Sequence, residues 1–170
     1  MELPALQGVM GREFALLDGE SAAVADALVE QYLPRFAGDA LPKTRIGSAL
    51  ALADRTDTLV GYMKFVGAEP KGSSDPFGLK RAASAIVDLL ARDRALPPVS
   101  ALIAAAEKAY LAQGLTLAAK SGDLNALMEQ RLRGVLEERR IRYDLIDALL
   151  SAPWDNIASV VKRGDVLAQL

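Results

Sequence analysis

Apolar residues recur every three or four positions along almost the whole chain, and no segment alternates apolar and polar residues as a half-buried strand does. This spacing places the apolar side chains on one face of a helix, where they can pack against a neighbouring helix. The apolar residues are mostly Ala, Leu and Val, and only 5% of the chain is aromatic, which favours helix over sheet. The sequence therefore predicts an all-α fold.

Seven segments carry this spacing, and loops rich in Gly, Pro and Ser separate them at residues 37–43 and 67–75. Asp75 suits the N-cap of the helix that follows, and Pro76 suits its first turn. Pro97 and Pro98 mark a soft boundary near residues 95–98, which divides the chain into helical parts 1–95 and 96–170. The predicted helices cover residues 20–36, 45–66, 75–94, 99–113, 123–139, 142–150 and 156–170.

The chain contains no histidine and no cysteine. Histidine is the commonest metal ligand and the usual acid or base near neutral pH, so Ser-His-Asp triads, histidine-bound zinc and histidine-based proton transfer are excluded. Disulfides, thiolate nucleophiles and cysteine metal sites are excluded as well. Any metal would have to be held by carboxylates and carbonyls, as magnesium and calcium are.

Charge is unevenly distributed, although the net charge is only −2. Residues 1–34 carry one basic side chain against six acidic ones, whereas residues 35–81 carry eight basic against five acidic. A local basic face of this kind can meet phosphate. Because the excess is small, an ordinary mixed surface in contact with water explains it at least as well on residue types alone.

Two sets of residues could carry chemistry. Asp54 and Asp57 lie three positions apart on a predicted helix, and paired carboxylates can hold magnesium or share acid–base work. Residues 67–75 place glycines and serines before a helix N-terminus, where free N–H groups can bind phosphate. In both cases a structural role is the better explanation. The two aspartates would bind a nearby arginine or N–H group, and residues 67–75 would be a plain loop in which Asp75 caps the next helix.

Nothing in the sequence predicts an exported or membrane-spanning protein. Glu2 and Pro4 stand where a secretory signal would have basic residues and then an apolar run. The longest uncharged stretch, residues 95–106, contains Pro97 and Pro98 and is too short to span a bilayer. Together with the absence of cysteine, these features suit a cytoplasmic protein.

Four stretches in the first half of the chain are specific in sequence. They read LQGVMG at residues 6–11, YLPRFAGDALP at 32–42, ALALAD at 49–54 running on to DTLVG at 57–61, and GSSDPF at 72–77 followed by Leu79, Arg81, Ala82 and Ala83. In their order and spacing they resemble the β subunit of the bacterial two-subunit glycyl-tRNA synthetase. The match is strong over residues 5–90 and looser over residues 124–150.

This resemblance implies an internal stretch of a longer β chain, in an enzyme of two α and two β chains that uses ATP and Mg. In that family the α subunit activates glycine, and the β subunit mainly supplies tRNA binding. The matching region is an HD-like helical domain, followed by a linker towards an anticodon-binding domain. The implied partners are tRNA(Gly), the α subunit and the remaining β-subunit domains. The stretch itself is expected to hold no cofactor, no metal and no catalytic residue.

An active HD domain binds metal through histidines and aspartates, so this chain cannot assemble the full ligand set. Asp54 and Asp57 are then expected to be remnants of a degenerate HD site. The basic residues of the middle region are expected to contact the RNA backbone, which positions RNA without reading its sequence. These predicted RNA-binding residues are Arg35, Lys43, Arg45, Lys71, Lys80 and Arg81.

Two hypotheses follow for the role of the chain. The first is a non-catalytic module that supports tRNA binding. The second is a structural spacer that packs against neighbouring domains or the α subunit and does not touch RNA. The spacer hypothesis predicts an exposed apolar patch within residues 95–170 and no affinity for tRNA.

Overall fold

The computed structural model describes residues 6–70, 72 and 74–169. Over these residues the chain forms eight α-helices and no strand, which confirms the predicted all-α fold. None of these helices is long and apolar enough to cross a membrane. The helices are α1 (Val9–Leu17), α2 (Ala22–Glu30), α3 (Arg45–Val60), α4 (Leu79–Arg92), α5 (Val99–Ala112), α6 (Leu124–Glu138), α7 (Tyr143–Ser151) and α8 (Ile157–Leu167).

The chain divides into two compact units, Met1–Arg55 and Thr56–Leu170, so that the division falls within α3. The boundary expected near residues 95–98 lies inside the second unit. There α4, which precedes the two prolines, packs against α6 and α8, which follow them.

In the first unit, α1 packs closely on α2. Gly8 precedes α1 with a φ of 80°, and a Cβ at this position would lie 2.8 Å from the Tyr32 ring and 2.9 Å from the carbonyl oxygen of Leu28. Glycine meets both the positive φ and the close approach without strain. The predicted helices do not include residues 9–17, because this short helix has no side-chain cap to signal its start.

The predicted helix over residues 20–36 is too long at both ends. α2 begins at Ala22, after the Ser21 hydroxyl accepts a hydrogen bond from the Val24 N–H, and it ends at Glu30. Pro34 has no N–H and disfavours helical geometry in the residue before it, so the chain leaves the helix ahead of this proline. Residues 31–44 then form the α2–α3 loop.

The predicted helix over residues 45–66 is confirmed, with one local difference. The Thr44 hydroxyl accepts a hydrogen bond from the Gly47 N–H at 2.9 Å and caps the N-terminus of α3. After Val60 the helix continues as a π-helical turn, Gly61–Val66, and ends at Gly67 in the left-handed conformation with a φ of 77°.

The second unit is built around α4, α6 and α8, with α7 packed on α6 and α8 and the π-helical turn packed on α5. α5 to α8 begin and end within a few residues of the predicted positions. Asp123 and Asn156 cap α6 and α8, each accepting a backbone N–H at about 3 Å. The core consists of fully buried apolar side chains, among them Leu79, Leu89, Met128, Leu132, Leu136, Ile146, Ile157 and Val160.

The start of α4 differs from the prediction. The helix begins at Leu79, three residues after Pro76, because Gly78 takes a left-handed conformation with a φ of 69°. Asp75 nevertheless accepts the predicted backbone hydrogen bonds, from Lys80 N–H at 3.1 Å and Arg81 N–H at 3.3 Å. The carboxylate therefore caps the helix from outside the usual cap position.

Candidate nucleic-acid interface

The predicted RNA-binding residues fall in different parts of the molecule. Arg35, Lys43 and Arg45 belong to the first unit, in the α2–α3 loop and at the start of α3. Lys80 and Arg81 belong to the second unit, in the first turn of α4. Lys71 lies outside the described residues. The α2–α3 loop region is therefore the largest single group of these cations.

A buried arginine holds the beginning of this loop. Arg55 is only 9% exposed. Its guanidinium donates to the carbonyl oxygens of Gln31 at 2.6 Å and Pro34 at 3.1 Å, and also to that of Ala51 on its own helix. Burial lowers the pKa of Arg55, against the nearby charge of Asp54. Arg55 is therefore one of the eight basic residues of the range 35–81, but its guanidinium is buried and binds the loop backbone instead of facing solvent.

A buried carboxylate holds the end of the same loop. Glu30 accepts hydrogen bonds from the Lys43 N–H at 2.8 Å, the Thr44 N–H at 3.1 Å and the Thr44 hydroxyl. Burial alone would raise the pKa of Glu30, but these hydrogen bonds outweigh it and hold the pKa below its ordinary value. Glu30 thus occupies the N–H groups of the two residues before α3, and its negative charge there disfavours a bound phosphate.

Arg35 and Phe36 lie on the outside of the loop. Arg35 is 52% exposed, and its Nε donates to Asp39 at 2.9 Å. The hydrogen bonds from Arg35 lower the pKa of Asp39 to about 2, so this carboxylate stays charged at neutral pH. Phe36 is 63% exposed, with the Arg35 guanidinium 6.0 Å from its ring centroid. The sequence gives no sign that Phe36 is exposed, because the predicted helix over residues 20–36 ends at this residue.

Lys43 and Arg45 are exposed and form no ion pair with any other described residue. Their backbone positions are nonetheless well defined, because Glu30 binds the Lys43 N–H and Thr44 caps the first turn of α3. The α2–α3 loop and the start of α3 thus carry two free cations and one exposed aromatic ring, which are the kinds of side chain that bind the phosphates and the bases of single-stranded nucleic acid.

Lys80 and Arg81 are less available than Lys43 and Arg45. The Lys80 ammonium donates to the carbonyl oxygen of Gly72, and the Arg81 guanidinium lies 3.7 Å from Asp75. Asp75 also occupies the N–H groups of Lys80 and Arg81, which a phosphate at this helix start would need. The arrangement agrees with a capped loop rather than an anion site.

Asp54 and Asp57 are both exposed on α3. The backbone carbonyl of Asp57 accepts a hydrogen bond from the Tyr110 hydroxyl at 3.3 Å. Within residues 6–70, 72 and 74–169, no three acidic side chains come close enough to hold a metal ion. Among the described residues, Asp54 and Asp57 therefore have no third acidic side chain close enough to share a metal ion with them.

Comparison with known proteins gives one consistent result. The sequence model of the family described as "Glycyl-tRNA synthetase beta subunit" matches residues 1–151. A protein named "Glycine--tRNA ligase beta subunit" from Desulforamulus reducens is 44% identical over 98% of this chain, and one of the same name from Janthinobacterium sp. is 43% identical over 95%. A third, from Moorella thermoacetica, is 42% identical over 95%. The chain spans about a quarter of the length of these relatives.

Proposed function

The chain belongs to the family of glycyl-tRNA synthetase beta subunits, and we propose that it is a non-catalytic helical module that supports tRNA binding by glycine–tRNA ligase. In this proposal the activation of glycine, with its ATP and Mg, takes place on the α subunit. The partners of the chain are tRNA(Gly), the α subunit and the other β-subunit domains, and its location is the cytoplasm.

The observation that carries the proposal is the construction of the α2–α3 loop. Its outer surface presents Arg35, Phe36 and Lys43, and Arg45 follows at the start of α3. Two buried side chains hold the loop backbone: Arg55 binds the beginning of the loop and Glu30 binds its end. A loop held in this way loses little further conformational freedom when it binds, which favours its use as a contact surface.

The proposal is tested by titrating the chain with tRNA(Gly) at two salt concentrations. Lys43→Glu combined with Arg45→Glu removes two phosphate contacts, so affinity should fall; for contacts to single-stranded RNA the salt slope should become smaller by about 1.4. Lys108→Glu combined with Lys120→Glu is the matched control, because both lysines are exposed cations of the second unit. Equal affinities of the two double variants would refute a specific role for the loop.

Phe36→Ala separates stacking from charge. The exposed ring contributes nothing to the buried core, so its removal should leave the fold intact. If a base stacks on Phe36, affinity for tRNA should fall about tenfold while the salt slope stays unchanged. Unchanged affinity would remove Phe36 from the interface and leave only the cations.

A second candidate function, the structural spacer, is favoured by the surface of α1, which lies outside the range 95–170 where an apolar patch was expected. Within that range Leu111, Leu115 and Leu117 are 51%, 46% and 52% exposed. Met10, Phe14 and Leu17 follow one another at helical spacing and are 43%, 57% and 80% exposed. An apolar strip of this kind is typical of a surface that packs on another domain. For the spacer, Phe14→Asp should weaken association of the full β subunit with the α subunit, and the chain should show no salt-dependent affinity for tRNA.

A further inference from the structure

A second surface, in the other compact unit, has a different character. An open groove of about 570 Å³ runs beside α7 and α8. Leu149 and Leu167 contribute apolar surface to it, and the small side chains of Ala148 and Ala152 leave its space unfilled. The exposed lining is mainly apolar, so water in the groove gains few hydrogen bonds from the protein.

Three cations lie on this groove, and no acidic side chain lines it. Arg94 and Lys162 are exposed and form no ion pair with any other residue that the structure describes. Arg163 is exposed too and donates to the carbonyl oxygen of Pro153 at 3.3 Å, a neutral partner. The groove therefore combines an apolar floor with uncompensated positive charge.

The acidic residues of the same two helices do not neutralise that charge. Asp144 and Asp147 of α7 lie 2.5 Å from Arg142 and 2.7 Å from Arg133, and Asp165 of α8 lies 2.9 Å from Arg139. Each of these carboxylates is thus paired with an arginine that does not line the groove. An external carboxylate meets no acidic competitor among the lining residues.

We propose that this groove is a docking site for an acidic amphipathic helix of a partner polypeptide. The apolar stripe of such a helix would lie over the groove against α7 and α8, and its flanking carboxylates would pair with Arg94, Lys162 and Arg163. The lining argues against RNA as the occupant, because it contains no aromatic ring on which a base could stack. This inference is independent of the α2–α3 loop and of tRNA binding.

The test uses a fluorescently labelled helical peptide of about five turns, with leucines along one face and glutamates on both flanks. A second peptide with lysine at every glutamate position has the same apolar face and the opposite charge. Anisotropy titration should show saturable binding of the acidic peptide to the chain and at least about tenfold weaker binding of the basic one. Equal binding of both peptides, or none of either, would overturn the proposal.

Variants locate the binding. Lys162→Glu combined with Arg163→Glu should weaken the acidic peptide about tenfold and strengthen the basic one. Val166→Asp should weaken both, because Val166 lines the groove and is 54% exposed, so its replacement leaves the core intact. The control pair Lys108→Glu with Lys120→Glu, and the loop pair Lys43→Glu with Arg45→Glu, should leave peptide affinity unchanged.

Two further results would reassign the groove. If the chain self-associates in sedimentation and Val166→Asp abolishes this, the occupant is a second copy and the proposal is wrong. If Lys162→Glu with Arg163→Glu lowers tRNA affinity well beyond the control pair, the groove belongs to the RNA interface and the proposal is wrong as well. Loss of tRNA binding through the α2–α3 loop alone bears only on the proposed function.

Discussion

Replacing Gly47 by alanine tests whether the α2–α3 loop is held as the structure indicates. Gly47 lies in the first turn of α3, directly against Glu30. A Cβ at this position would lie 2.0 Å from Oε2 and 2.5 Å from Cβ of Glu30. Ordinary contact between carbon atoms begins at about 3.5 Å, so α2 and α3 must separate by roughly 1 Å or Glu30 must give up its position.

The expected magnitude follows from what Glu30 binds. Its carboxylate accepts the N–H groups of Lys43 and Thr44 and the hydroxyl of Thr44. Hydrogen bonds to a charged group contribute about 1.5–3 kcal/mol each, and overpacking costs about 1–3 kcal/mol. Alanine restores only about 0.5–1 kcal/mol through its higher helix propensity. If one of these hydrogen bonds is lost and the contact is overpacked, Gly47→Ala should lower the free energy of unfolding of the first unit by about 3 kcal/mol.

The control is Gly134→Ala, which makes the same substitution inside α6. A Cβ at Gly134 meets nothing within 4 Å, so only the helix propensity changes and stability should rise by about 0.5–1 kcal/mol. Hydrogen exchange of α3 and α6 amides gives the opening free energy of each segment separately. If Gly47→Ala stabilises α3 as Gly134→Ala stabilises α6, the described contact between Glu30 and α3 is wrong.

Two further predictions concern the second unit. Burial of Asp88, and after it the nearby charge of Glu138, raises the pKa of Asp88, so the folded chain binds more protons here than the unfolded chain. The free energy of unfolding should fall as pH rises from the ordinary carboxyl pKa through the raised pKa of Asp88. Asp88→Asn should therefore stabilise the protein at pH 7 but not at pH 3. Urea unfolding at both pH values measures this difference. Leu132 is fully buried, so Leu132→Ala should lower the free energy of unfolding by about 3 kcal/mol in the same urea assay, and a loss below about 1 kcal/mol would contradict its central place in the core.

The helices of the second unit were predictable because their signals are local. Asp123 and Asn156 cap α6 and α8 as the residue types indicate, and a left-handed glycine, Gly114, follows α5. α1 was not predictable, since it lacks a side-chain cap and depends on packing against α2 through Gly8. The end of α2 was misplaced because helical spacing continues to Tyr32, whereas Arg55, distant in sequence, binds the carbonyl oxygens of Gln31 and Pro34.

The candidate interface was only partly predictable for a related reason. The sequence predicted Arg35, Lys43 and Arg45, but it could not show that Arg35 pairs with Asp39 at 2.9 Å whereas Lys43 and Arg45 form no ion pair with any other described residue. It also gave no reason to expect Phe36 on the surface, because an apolar ring is usually buried. The exposure of a side chain depends on which residues pack against it, and the tertiary fold determines those contacts.

The sequence by itself determined that the chain is helical, that it lacks imidazole and thiol chemistry, and which family it resembles. These properties follow from residue types and from spacings of a few positions along the chain. Only the tertiary structure decided which charges remain free, how Glu30 and Arg55 hold the α2–α3 loop, and where α7 and α8 leave an apolar groove beside three cations. The physical reason is that burial and pairing depend on contacts between residues far apart in sequence.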